Sequence, residues 1–153
     1  MDNEKLKSLI ESWEPEAEVS FEGLQFLTVV VSPDKLHPLA EKLRNDAQTN
    51  FNFLTCLSGV DYKEHMEVVY HLRCQETFEE MVVKAKIPTR VKPEVPTVCD
   101  IWWAAEWHER EAYDLFGIVF LNHPDLRRIL LDDDWEGYPL RKDYDDPVNV
   151  VRY

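Results

Sequence analysis

The 153-residue chain contains few of the residues from which redox and nucleotide sites are usually built. Its three cysteines, Cys56, Cys74 and Cys99, include no C-x-x-C pair, so no iron–sulfur cluster or structural zinc site of ordinary spacing can be formed from them. Only four glycines occur, and none of them forms a G-x-G-x-x-G or Walker loop. The odd number of cysteines argues against a disulfide framework and indicates a reducing compartment.

Long apolar runs and positive charge are also scarce. The amino-terminal residues have no apolar signal core, and no run approaches the length of a membrane span. Lysine and arginine total 17 against 30 acidic residues, giving a net charge of −13, which disfavours binding to nucleic acid or to an anionic membrane surface. More than half of this imbalance falls in residues 100–153, which indicates a solvated acidic surface or a docking surface for a basic partner.

The remaining pattern predicts one α+β domain with a mixed or antiparallel sheet packed by helices. Hydrophobic residues make up 44% of the chain, enough for a single core at this length. Alternation of apolar and polar residues over 66–74 is typical of a half-exposed antiparallel strand. The predicted order is αββαβββα, with helices over 5–13, 33–46 and about 100–116, and strands over 19–22, 26–31, 51–62, 66–74 and 80–87. Residues 89–96 are predicted to be a connector.

The sequence after residue 121 has neither helical nor alternating periodicity. It nevertheless contains too many large apolar and arginine side chains for plain disorder. These apolar residues are Leu126, Ile129, Leu130, Trp135, Tyr138 and Leu140. We therefore predict a core domain over 1–121 and an extended arm over 122–153, which folds along a surface of its own chain or of a partner.

The stretch WHEREAYDLFG, residues 107–117, lies on the predicted third helix, capped by Thr97 or Asp100. Winding it at 100° per residue places His108 and Glu109 within an apolar arc. The opposite face then holds Trp103, Glu106, Trp107, Arg110 and Asp114. Buried charges require partners, so we expect Arg127 or Arg128 to pair with Glu109 or Glu111 and to pin the arm against this helix.

A catalytic interpretation of the same residues is weaker. His108 with Glu109 or Glu111 could form an acid–base pair or a metal site in a small hydrolytic enzyme. The H-E-R-E order does not place two ligands on one helix face, as H-E-x-x-H does, so metal binding is disfavoured. This hypothesis predicts an open pocket that holds both His108 and Glu109.

The residues from Glu109 onward resemble a known family. Glu109-Arg110-Glu111-x-x-Asp114-Leu115-Phe116, followed by His123, Arg127 and Ile129-Leu130, is similar to the signature of the C-subunit of respiratory complex I, also called the 30-kDa subunit. The run from Asp134 to Asp143 resembles that family's closing segment. The resemblance gives signature and structural roles to Glu109, Arg110, Glu111, Asp114, His123, Arg127 and Arg128, and places Trp135, Tyr138, Arg141 and Asp143 against a partner.

This resemblance implies a subunit of the NADH:quinone oxidoreductase peripheral arm with no catalytic centre, metal or cofactor of its own. FMN, iron–sulfur clusters and quinone are then expected in partner subunits, chiefly the D-subunit, with the B- and I-subunits nearby. The implied location is the cytoplasmic side of the cell membrane. Related C-like subunits of membrane-bound hydrogenases and other dehydrogenase complexes are an alternative. The end of the chain at Tyr153 indicates the form in which the C- and D-subunits are separate.

Overall fold

The computed structural model describes residues 2–146 and contains three helices and seven strands over that range. None of these helices combines the length and hydropathy needed to cross a bilayer. The helices are α1 (Asn3–Trp13), α2 (Pro33–Asn45) and α3 (Ala105–Phe116). The strands are β1 (Glu18–Ser20), β2 (Leu27–Val31), β3 (Phe53–Asp61), β4 (Met66–Arg73), β5 (Glu80–Ile87), β6 (Glu94–Pro96) and β7 (Val119–Leu121).

A five-stranded sheet in the order β1-β2-β5-β4-β3 forms the centre of the domain. Strand β2 runs parallel to β5, with Val29 opposite Val83, while the other neighbours are antiparallel. Alternate residues of β2 are buried, because successive side chains of a strand point to opposite faces of the sheet. The prediction of an α+β domain with a mixed sheet is therefore confirmed.

Helix α2 contributes an apolar stripe to the core. Ser32 and Pro33 begin the helix as the sequence indicates, although the Ser32 hydroxyl donates to the Asp34 carboxylate rather than to the backbone. The buried stripe consists of Leu36, Leu39, Ala40 and Leu43. The Trp102 indole donates to the Phe51 carbonyl over 2.9 Å, so the segment before α3 is attached to the chain just before β3.

Two boundaries differ from the sequence prediction. The 89–96 connector contains β6, which pairs in parallel with β7. The sequence did not predict this pair, because strands of three residues are too short to show a period. Helix α3 begins at Ala105 rather than near residue 100, and its N-cap is Ala104, without a side-chain hydrogen bond. Thr97 and Asp100 therefore do not cap it, and the Thr97 hydroxyl bonds to Glu109 instead.

Candidate functional site

Helix α3 carries two completely buried carboxylates, Glu109 and Asp114. Arg110 is buried as well, whereas His108 retains partial exposure. The burial of Glu109 was predicted. Helical winding placed Arg110 and Asp114 opposite the apolar arc with Trp107, and both are nevertheless buried. That face of the helix is covered by residues 127–131, a long-range contact that helical winding alone does not indicate.

Glu109 is held by the segment that precedes its helix. The Thr97 hydroxyl donates to Oε2 over 2.5 Å, the Val98 amide donates to Oε1 over 2.9 Å, and the Cys99 thiol donates to Oε2 over 3.2 Å. Burial raises the pKa of Glu109 despite these hydrogen bonds, because desolvation penalises the ionised carboxylate more than the donors stabilise it. The site is rich in donors but contains no arginine from residues 2–146.

The expected pairing of Glu109 with an arginine is consequently wrong. The Arg128 guanidinium lies at Asp114, 2.9 Å from its Oδ1, and the Arg127 guanidinium lies at Asp125 on the surface. Glu111, the other proposed acceptor, is exposed. The arginine does pin the arm to α3 as predicted, but through a different carboxylate.

Asp114 is an anchor for the backbone of the arm. Its Oδ2 accepts hydrogen bonds from the amides of Ile129, Leu130 and Leu131 over 3.1, 2.7 and 3.0 Å. Burial acts to raise the pKa of Asp114, but the Arg128 guanidinium and these three amides lower it below its ordinary value. One side chain thus fixes the backbone of the arm at residues 129–131.

The Arg110 side chain extends this attachment, whereas Arg127 takes part in it only through its backbone carbonyl. Arg110 donates from Nε to the Arg127 carbonyl and from Nη2 to the Arg128 carbonyl, each over 3.2 Å, and its guanidinium lies 5.2 Å from the centre of the Trp107 ring. The exposed Arg127 side chain binds Asp125 over 2.9 Å. Among the signature arginines, Arg110 and Arg128 therefore hold the fold, while Arg127 contributes its carbonyl.

The residues expected to face a partner contact their own domain. Arg141 donates to the Phe116 carbonyl, and its guanidinium lies 4.8 Å from the Tyr138 ring centre. Gly117, with φ of +72°, ends α3 directly beneath them, where an added Cβ would lie 2.6 Å from the Tyr138 ring. The Trp135 carbonyl accepts a hydrogen bond from Arg128 over 3.0 Å. Docking of these residues on another subunit stays a prediction.

A second attachment of the arm, which the sequence did not indicate, is centred on Asp61. Arg90 bridges Asp61 and Asp143 at 2.7 and 3.1 Å, and the Lys142 amide donates to Asp61 over 2.9 Å. Burial opposes ionisation of Asp61, yet the Arg90 guanidinium and the backbone amides hold its pKa at about 2. These residues are too distant in sequence for any local pattern to connect them. Residues 147–153 of the predicted arm lie outside the described residues.

His123 joins the Glu109 site from the turn after β7. The ligand atoms of Cys99, Glu109 and His123 lie within 4.8 Å of one another, so this is the arrangement to test for metal binding. However, His123 Nδ1 accepts the Asp125 amide hydrogen and Nε2 donates to the Glu106 carbonyl, each over 3.0 Å, so neither ring nitrogen has a free lone pair. Burial also raises the pKa of the Cys99 thiol to about 12, which keeps it a hydrogen-bond donor.

These contacts argue against the acid–base enzyme hypothesis. Both Glu109 oxygens accept hydrogen bonds from the 97–99 segment, and the side chain has no exposed surface. A general acid or base must reach its substrate, which Glu109 cannot do here. The open pocket that this hypothesis requires around His108 and Glu109 is not formed.

Comparison with known proteins matches residues 29–149 to the family model described as "Respiratory-chain NADH dehydrogenase, 30 Kd subunit". The chain is 48% identical over 125 residues to the C/D-subunit of the NADH-quinone oxidoreductase of Phocaeicola vulgatus, covering 81% of this chain and 24% of that protein. It is 45% identical to the C-subunit of the same enzyme from Chloroherpeton thalassium, covering 79% and 50%. Identity to the C-subunit from Hyphomonas neptunium is 42%, covering 94% and 74%.

A solved structure shares the fold. A chain of the membrane-bound sulfane sulfur reductase, an archaeal respiratory membrane complex, superposes with a TM-score of 0.79 at 32% identity, covering 93% of this chain and 85% of that one. The chain spans about a quarter to a half of the first two curated relatives, so the similarity covers only part of those proteins.

Proposed function

The chain belongs to the family of the 30 Kd subunit of respiratory-chain NADH dehydrogenase, and from this membership we propose that it is a non-catalytic subunit of a proton-translocating NADH:quinone oxidoreductase. In this proposal it is a scaffold for the quinone-module subunits, and FMN, iron–sulfur clusters and quinone belong to its partners. Its position is peripheral, on the cytoplasmic side of the membrane.

The observation that carries the proposal is the way in which the signature residues are used. Asp114 and Arg128 bind the arm, Arg110 binds the arm backbone, and Glu109 binds the segment before its own helix. Each of these side chains is engaged within the fold, and the two carboxylates have no surface open to a substrate. Such residues maintain a shape, and in a subunit without a catalytic centre the shape is what partners recognise.

The surface of the arm supports a partner on its outer side. While its backbone is attached to α3 and Asp61, it exposes Leu130 at 62% and Leu140 at 53% of their full surface. Apolar side chains held outward on an ordered segment favour association, because burying each removes apolar area from water without a further cost of ordering the backbone. We infer that this side lies against the D-subunit, with the B- and I-subunits nearby.

The test is affinity purification of the tagged chain from native membranes, followed by identification of the co-purifying subunits. We expect the D-, B- and I-subunits. A Leu130→Glu, Leu140→Glu double variant should release them, whereas Val91→Glu, at an apolar residue that is almost fully exposed outside the arm, should not. Unchanged co-purification of all three subunits with the Leu130→Glu, Leu140→Glu double variant would contradict the proposal.

A second candidate is a C-like subunit of a membrane-bound hydrogenase or another related complex. The similarity to a chain of the sulfane sulfur reductase favours it, since that complex is not named for quinone reduction. Neighbouring genes for nucleotide-binding flavin subunits, together with NADH oxidation by the purified complex, would support the first candidate. Neighbouring hydrogenase genes and no NADH oxidation would support the second.

A further inference from the structure

A cavity of about 630 Å³ opens near the N-terminal end of α3, away from the Asp114 attachment of the arm. Its walls come from α2, from the 96–100 segment, from the first turn of α3 and from the turn that follows β7. The polar side chains in the wall include His37, Cys99, Asp100 and Glu106, and the apolar ones include Leu121 and Pro124. Apart from Cys99, which donates to Glu109, these residues are not used by the function proposed above.

Two carboxylates in this cavity have no strongly basic partner within residues 2–146. Asp100 bonds to His37 Nε2 over 2.8 Å, and Glu106 accepts a hydrogen bond from the Trp103 indole over 3.0 Å. No lysine or arginine of that range lies within 4.0 Å of either carboxylate group. Glu109, the buried neighbour that Cys99 contacts, is also an acid and supplies no counter-charge. The cavity is thus a concave, anionic surface.

Two exposed tryptophans flank Glu106 in the sequence, Trp103 just before α3 and Trp107 in its first turn. Trp103 exposes 78% of its surface and Trp107 exposes 55%, although indole rings bury more apolar area than almost any other side chain when they are covered. Arg110 already lies against the Trp107 ring within the chain. The Trp103 ring is anchored at the cavity through Glu106 but is otherwise exposed, which is the usual state of an interface tryptophan in the absence of its partner.

We propose that this cavity receives an arginine side chain from a neighbouring subunit, with its guanidinium paired to Glu106 and Asp100 and stacked on Trp103. Charge complementarity selects a cation, and the planar guanidinium suits this site better than an ammonium because it can fork to carboxylates and stack on an indole together. The inference rests on the proposed function, because the assembled complex supplies the arginine.

The test uses charge-removing variants that leave the local hydrogen bonds possible. Glu106→Gln retains an acceptor for the Trp103 indole, and Asp100→Asn can still bond to His37. We expect the Glu106→Gln, Asp100→Asn double variant to weaken retention of the partner about 10- to 100-fold, measured by titration of the purified chain with the complex that lacks it. Trp103→Ala should produce a loss of the same order, and Glu111→Gln, an exposed acid on the same helix, should have no effect.

A photo-crosslinking residue at position 103 then identifies the partner. We expect a cross-linked peptide from another subunit with an arginine beside the modified residue, and replacement of that arginine by glutamate should rescue Glu106→Arg. Unchanged retention of all cavity variants in a complex that still assembles would overturn this inference alone. A cross-link to a second copy of this chain, or to a peptide without arginine, would also overturn it. Failure of the unmodified chain to bind the oxidoreductase subunits would instead count against the proposed function.

Discussion

Glu109 and Asp114 lie five residues apart on α3, and both side chains are completely buried, yet their pKa values shift in opposite directions. Asp114 has a guanidinium and three amides, which outweigh its burial. Glu109 has a hydroxyl, an amide and a thiol but no arginine or lysine among the described residues, so its burial prevails. Burial alone therefore does not determine the charge of a buried acid; the partner delivered by the surrounding chain does.

The two ends of α3 consequently differ in what they hold. The N-terminal half binds the segment immediately before it through a carboxylate that resists ionisation. The C-terminal half binds the arm through a carboxylate that is readily ionised. We expect substitutions at the second site to disturb the fold more, because they leave a buried positive charge behind.

Asp114→Asn should have the largest effect. It leaves Arg128 without a counter-charge and turns an amide group toward three backbone donors, so we expect a loss of about 3–5 kcal/mol in the free energy of unfolding. Urea denaturation measures this loss, and hydrogen exchange at residues 129–131 should rise. Asp132→Asn, at an exposed acid of the arm, is the control. Equal stability of the Asp114→Asn and Asp132→Asn variants would show that Asp114 does not stabilise the fold.

Glu109→Gln should cost less, about 1–3 kcal/mol, because it leaves donors unsatisfied but no uncompensated cation. Its neighbour Glu111→Gln, which is exposed, should change stability by less than about 0.5 kcal/mol. Assembly of the complex should fall together with the stability of the Glu109 variant. A stable and fully assembled Glu109→Gln variant in which only quinone kinetics changed would contradict this assignment.

The two carboxylates should also respond oppositely to pH. A raised folded-state pKa means that the stability contributed by Glu109 is greatest at low pH and is lost as the pH rises above about 4.5. A lowered folded-state pKa means that the contribution of Asp114 is present above about pH 3.8 and is lost as the pH falls below that value. The measurement is the free energy of unfolding between pH 2 and 8, for the chain and for each amide variant. As the pH rises, the difference between the chain and Glu109→Gln should decrease, and the difference between the chain and Asp114→Asn should increase. Parallel slopes would show that the two sites are electrostatically equivalent.

Thr97→Val should have the smallest of these effects, about 1 kcal/mol, because it removes the hydroxyl that donates to Glu109 and accepts from the Cys99 amide. Loss of that donor should also raise the pKa of Glu109 further, which moves the pH dependence toward higher pH. Thr97→Ser retains the hydroxyl and serves as the control in thermal denaturation. A Thr97→Val variant as stable as Thr97→Ser would show that this hydroxyl contributes nothing to the Glu109 site.

Local patterns were sufficient for most of the fold. In α2 every third or fourth residue contacts the core, and in β4 every second residue does, so both periods are visible in the sequence. Strands β6 and β7 have three residues each and show no period. The N-terminus of α3 was placed too early because Thr97 has the identity of a cap but serves another residue.

The candidate site was only partly predictable, for a different reason. The sequence identified Glu109 as buried and identified an arginine as the residue that pins the arm. It did not assign the arginine to Asp114, because that choice depends on the path taken by residues 117–128. Asp61 and Arg90 carry no local signal at all, since their contacts with residues 142 and 143 exist only in three dimensions.

The dependence of Asp114 on residues 128–131 has a consequence for biosynthesis. Translation delivers α3 before the segment that neutralises and hydrogen-bonds Asp114, and at about 5–20 residues per second the delay is on the order of seconds. During this interval the nascent domain cannot bury that face of α3 without isolating a charge. Residues 128–131 therefore close this face of the domain only after α3 has been made, and a chain halted near residue 120 should be a substrate for chaperones and proteases.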